Sequence, residues 1–149
     1  MSPWQTTTGD VSQTTTSTAF DGGKVATLDP TAAGDLAIIS QLFQVGRGSH
    51  LHISFSTKTV VADPSQLTAE IQFYGSANVG LPLLRTDTVF VKEVLFPAEV
   101  WQTAVVATKA KPSGTVWARI RFIAEGVGTN HGPVDVDNVV VTAENPVTA

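Results

Sequence analysis

The chain has 149 residues, 42% of them hydrophobic, which is enough for one domain with a sizeable core. Its net charge of −4, from 9 basic and 13 acidic residues with no basic block, argues against a surface built to follow phosphates, and nucleic acid is not expected as a partner. Cysteine is absent, which removes disulfides, thiolate metal sites and cysteine nucleophiles, and no apolar run is long enough for a membrane span.

Met1-Ser2-Pro3-Trp4-Gln5 has neither the basic start nor the apolar stretch of a secretory signal. The expectation is a protein that leaves its cell only on release, or one whose leader lies outside this sequence. Thr6-Thr7-Thr8 and Thr14-Thr15-Thr16-Ser17-Thr18 follow, a composition suited to exposed edge strands. After the turn Asp21-Gly22-Gly23, Lys24 to Leu28 reads as a short strand ending at Asp29-Pro30. Leu36 to Val45 and Ser49 to Thr59, joined by Gly46-Arg47-Gly48, read as a hairpin. In its second arm Leu51, Ile53 and Phe55 point inward and His50, His52, Ser54 and Ser56 outward.

Beyond Asp63-Pro64-Ser65, Leu67 to Tyr74 sets Ala69, Ile71 and Phe73 against Glu70, Gln72 and Tyr74. Val89 to Leu95 and Trp101 to Lys109 read as further strands. Thr115 to Ala124 alternates without a break, placing Ala118, Ile120 and Phe122 on one side and Trp117, Arg119 and Arg121 on the other. The last segment, Pro133 to Thr142, is the most β-prone of all. Simple alternation gives Val134, Val136, Asn138 and Val140 one face and Asp135, Asp137, Val139 and Val141 the other, with both faces buried beyond Asn138. About nine short strands separated by turn signals, with no helical period and no internal repeat, predict a single all-β domain over residues 1–149. The expected form is an antiparallel sandwich of jelly-roll type with Ile53, Phe55, Ile71, Phe73, Ile120 and Phe122 in the core.

The order of Ile39-Ser40-Gln41-Leu42-Phe43-Gln44-Val45, Ile71-Gln72-Phe73-Tyr74, Trp101, Lys111-Pro112-Ser113-Gly114-Thr115 and Val136-Asp137-Asn138-Val139 resembles the carbohydrate-binding-module type of jelly roll. Within that group it is most similar to the N-terminal domains that precede collagen-like repeats in surface and spore-surface proteins of Bacillus-type bacteria. The resemblance implies a module at the exterior of a bacterium. It also implies a structural calcium held in part by Asp137. The Asn-Gly-x-Phe-Glu strand with which that pattern opens has no counterpart here, so an unpaired edge is expected, to be filled by a second copy of the chain.

Trp117, Arg119 and Arg121 on one strand, and Glu70, Gln72 and Tyr74 on another, are the candidate glycan-binding residues. If they share a sheet face, they combine aromatic platforms for sugar rings with donors and acceptors for hydroxyls. The plainer reading is a polar face covered by long side chains, with the arginines paired to Glu70. His50 and His52 have a spacing that zinc sites on sheets use, with His131 as a third candidate, but a solvated or hydrogen-bonded role is the expectation for them and no transition metal is expected. Asp135 and Asp137, with Asn130 and Glu125, carry the hard oxygens that suit calcium.

Gly46-Arg47-Gly48-Ser49-His50 lacks the Lys-Ser/Thr of a phosphate loop, and no Gly-x-Ser-x-Gly elbow occurs. The expected function is therefore non-catalytic, in surface-structure assembly or adhesion at a bacterial cell or spore surface, with self-association. Recognition of a glycan on the polar sheet face is the alternative.

Overall fold

The computed structural model describes residues 5–8, 11–15, 24–30, 34, 36–45, 50–59, 65–75, 82–92, 101–127 and 132–144. They form ten strands: β1 (Gln5–Thr8), β2 (Val11–Thr15), β3 (Lys24–Leu28), β4 (Leu36–Gln44), β5 (His50–Thr59), β6 (Gln66–Gly75), β7 (Leu83–Lys92), β8 (Gln102–Ala107), β9 (Thr115–Glu125) and β10 (Val134–Glu144). These build two five-stranded sheets, ordered β1-β4-β9-β6-β7 and β2-β3-β10-β5-β8, in which the assigned pairings are antiparallel. The fold is the expected all-β jelly-roll sandwich.

Alternation drives the packing. Ile71 and Phe73 from β6, Ile120 and Phe122 from β9, and Ile53 and Phe55 from β5 are buried as the sequence predicts. Phe55 ties the sheets together, meeting Phe122 edge-on at 5.0 Å and Phe90 at 5.1 Å. Such aromatic pairs add about 0.5–1.5 kcal/mol to the gain from burial. One side of the sandwich is closed by a polar clamp: Arg85 on β7 donates to the Ala110 carbonyl at 2.8 Å, and Asp87 accepts from the Lys109 backbone N–H at 3.1 Å.

Thr6–Thr8 of β1 and Thr14 and Thr15 of β2 lie in edge strands, as their composition suggests, with β1 beside β4 and β2 beside β3, and Thr16, Ser17 and Thr18 lie outside the described residues. Each of the two is paired on one side within its own chain and is the outermost strand of its sheet. The hairpin expected of Leu36 to Thr59 is corrected, because β4 pairs with β9 in the first sheet and β5 with β10 and β8 in the second. A glycine turn is compatible with a connection that crosses from sheet to sheet as well as with one that pairs its arms, and both arms have an apolar face to bury in the shared core. β7 begins at Leu83, earlier than expected, whereas Glu93, Val94 and Leu95 lie outside the described residues.

The strand β10 departs furthest from simple alternation. Its register against β5 jumps between Asp137 and Val140, so that Asn138 and Val139 together oppose Phe55. Asn138 takes a left-handed φ of 53°, which asparagine tolerates far better than a β-branched residue does. This is a β-bulge, and it inverts the phase of the strand. Val134 and Val136 face the core before it and Val139 and Val141 pack against the core after it, while Val140 is turned out to 49% exposure. The strand is therefore not buried on both faces beyond Asn138.

On the outward side of the same sheet, Asp135 is only 5% exposed. Its Oδ1 accepts the Thr27 hydroxyl at 2.6 Å and its Oδ2 lies 3.7 Å from Nζ of Lys58, itself buried and set 5.2 Å from the Trp101 ring centroid. Removing one partner of a buried pair costs more than the pair contributes, because the other charge stays buried. Asp135→Ala is expected to lower unfolding stability by about 3–5 kcal/mol. Chemical denaturation measures this, and a loss under about 1 kcal/mol contradicts it.

Candidate functional site

β9 lies between β4 and β6, and its register places the six glycan-binding candidates in three adjacent rows. Arg121 stands opposite Glu70, Arg119 opposite Gln72 and Trp117 opposite Tyr74. β4 extends the rows with Ser40, Leu42 and Gln44, and β7 extends the first two with Thr88 and Thr86. Four strands at about 4.8 Å spacing, read over three rows, make a face of about 14 by 13 Å.

Within the first row Nη1 of Arg121 donates to Oε1 of Glu70 at 2.6 Å, the ion pair that the plainer reading of the sequence anticipated. In the second row the Arg119 guanidinium lies 5.6 Å from the Tyr74 ring centroid, and its Nε is buried without a hydrogen-bond partner among the described residues. Tyr74 donates its hydroxyl to Oε1 of Gln72 at 2.9 Å. That bond orients the amide so that its NH2 group is the one left to donate. Tyr74 itself is only 9% exposed, so it is a prop beneath Arg119 and beside Gln72. Trp117 is half-buried. On the flanking strands Leu83, opposite Tyr74, is 53% exposed and Leu42, opposite Arg119, is 36% exposed.

Leu42, Thr86 and Thr88 complete a face that the sequence outlined only on β6 and β9. The sequence pattern gives no strand before Val89, so Thr86 and Thr88 are not among the expected site residues, whereas the strand runs from Leu83. Their alternation with Arg85 and Asp87 was the available signal. A cleft of about 280 Å³ opens between β7 and the end of β8, lined by Thr86, Asp87, Thr88 and Thr108 among others.

The remaining candidates separate. Asp135 pairs with Lys58 and accepts the Thr27 hydroxyl. Asp137 gives Oδ1 to the Asn138 backbone N–H at 2.8 Å, whereas its buried Oδ2 has no hydrogen-bond partner among the described residues. Glu125 ends β9 in the first sheet, away from the β10 aspartates of the second, and Asn130 and His131 lie outside the described residues. His50 and His52 meet Nε2 to Nε2 at 3.1 Å, the hydrogen-bonded arrangement expected of them.

No protein-family model matches the sequence, and no curated protein sequence matches it. Among solved structures the chain is similar to the enzymatically active domain of Bacteriophage CBA120 tailspike protein 4, with TM-score 0.67 and 17% identity over 95% of this chain, though it spans only 19% of that one. It is similar along nearly its whole length to TmCBM61 in complex with β-1,4-galactotriose, with TM-score 0.65, 16% identity and coverage of 96% and 90%. The CBM22-2 xylan-binding domain of Paenibacillus barcinonensis gives TM-score 0.63 and 13% identity, with coverage of 96% and 92%. These likenesses place the chain in the β-sandwich fold shared by carbohydrate-binding modules. They do not extend to a collagen-like context.

The prop role of Tyr74 has a measurable consequence. Tyr74→Phe keeps the ring beneath Arg119 and deletes only the bond to Gln72, so it should cost about 1 kcal/mol. Tyr74→Ala should cost about 3–5 kcal/mol by emptying a buried aromatic site. Equal losses for the two variants, measured by denaturation, would show that the ring is not a packing element.

Proposed function

We propose that the protein is a non-catalytic glycan-binding module acting outside a bacterial cell, and that the outward face of β4, β9, β6 and β7 is its binding surface. The observation that carries this reading is the register of β9 against β6. It joins one partly exposed indole to a contiguous set of donors and acceptors. A sugar ring offers a patch of C–H bonds on one face and hydroxyls around its rim. Trp117 meets the first requirement, while Gln72, Arg119, Arg121 and Glu70 meet the second with side chains already held in place. Prior fixing lowers the ordering cost of binding. The whole-length likeness to modules solved with or described as binding β-linked glycans supports the same reading.

Two other readings lose ground. Assembly or adhesion through the N-terminal edge has no specific contact to favour it, since β1 and β2 are each paired on one side within their own chain and remain the outermost strands of their sheets. Hydrolysis needs two carboxyl groups about 5–9.5 Å apart. On this face Glu70 is already paired with Arg121, and Glu125 follows Arg121 by four residues, about 13 Å along the strand. A calcium, if bound, would be held in part by Oδ2 of Asp137 and would stabilise the β10 bulge without touching sugar.

Screening against β-1,4-linked galactan and xylan oligosaccharides, with affinities by calorimetry, tests the proposal. Trp117→Ala should weaken binding about tenfold, or about 1.4 kcal/mol, with the fold intact. Val105→Ser, at an exposed position on the outward face of the other sheet, should leave affinity unchanged. Glycan binding that is indifferent to Trp117 would overturn the assignment.

A further inference from the structure

The outward face of the second sheet carries a separate constellation. Leu51 and Ile53 are buried, so the alternation of β5 turns His50 and His52 outward. The strand beneath them is held on both sides: His52 stands opposite Ala107 of β8 and Thr142 of β10, and His50 opposite Glu144. The Leu51 backbone is tied further to Thr108, donating to its hydroxyl at 3.1 Å and accepting its backbone N–H at 2.9 Å. Residues two apart on a strand have Cα atoms about 6.7 Å apart, yet the two Nε2 atoms approach to 3.1 Å, with ring centroids at 5.0 Å and a tilt of 41°. The rings lean together at their Nε2 ends.

That separation has a direct coordination meaning. Metal–imidazole bonds are about 2.0–2.1 Å long, so an ion held equally by two nitrogens 3.1 Å apart subtends an angle of about 95–102°. The value falls between the square corner preferred by Cu(II) and Ni(II) and the tetrahedral angle of Zn(II). We propose that His50 and His52 form a bidentate site for a divalent transition metal, binding Cu(II) more tightly than Zn(II). The order follows the general rise in affinity toward copper for nitrogen ligands. In the metal-free state the short approach is an imidazole–imidazole hydrogen bond. On binding, both rings carry their proton on Nδ1 and both Nε2 lone pairs go to the ion, with no change in the backbone. No group of three or more His, Asp or Glu side chains suited to a metal occurs among the described residues, so the proposal rests on the two imidazoles alone. The pair sits on the sheet opposite the proposed glycan face, and the two activities are independent.

The test uses the untagged full chain, titrated with Cu(II) and with Zn(II) salts in a non-coordinating buffer and followed by calorimetry and, for copper, electron paramagnetic resonance. The expected result is one ion per chain, copper tighter than zinc, and hyperfine coupling to two imidazole nitrogens. His50→Ala and His52→Ala should each weaken binding about tenfold or more, while His131→Ala, at the chain's third histidine, should not. Circular dichroism of each variant separates lost ligation from lost folding. Absence of binding at millimolar metal, or undiminished binding in folded His50→Ala and His52→Ala variants, would overturn the proposal.

Discussion

The register of β9 is the constraint on which the rest of the structure depends. Side chains alternate with a period of two, so a slip of one residue against β4 or β6 would bring Arg119 and Arg121 into the core and Ile120 and Phe122 into water. Phe122 opposes Ile39 on one side and Ala69 on the other, and it packs edge-on against Phe55 of the facing sheet. The same contact that locks the core thereby dictates which polar residues stand shoulder to shoulder outside. Core and binding face are two readings of one register, and stabilising one arranges the other.

The two sheets use their outward faces differently. On the first, the long side chains of β9 and β6 stay partly exposed and brace one another, Arg121 with Glu70 and Tyr74 with Gln72. On the second, Asp135, Lys58 and Ser56 are buried, so this part of the sheet is an ionic sub-core. Such a network contributes little net stability and makes the local geometry unique only while every member is present. The bulge at Asn138 marks where this buried region ends. Beyond it Val140 and Thr142 face outward and the face opens toward His52 and His50.

Much of this was legible in the sequence. The three segments with unbroken alternation, around Phe55, Phe73 and Phe122, identified the core because burial demands one apolar face per strand. The same alternation named the outward residues of β6 and β9, but their facing pairs depended on register, which turn signals alone do not specify across non-adjacent strands. Asp135 shows a different limit. Nothing in the spacing of Asp135, Lys58 and Thr27 announces that three strands bring them together. The phase flip at Asn138 was hidden for a related reason, since one extra residue leaves a valine-rich run looking regular. Tyr74 was placed on the correct face, yet its burial depends on Arg119 folding over it from the neighbouring strand.

The claim at the centre of this account is that a glycan lies across β4, β9, β6 and β7. A backbone-amide NMR titration with an oligosaccharide that binds the protein measures this most directly. The account predicts shifts concentrated at Leu42, Gln72, Thr86, Trp117, Arg119 and Arg121, with the amides of β5 and β10 unmoved. Shifts confined to the second sheet, or to the segments joining strands, would contradict it.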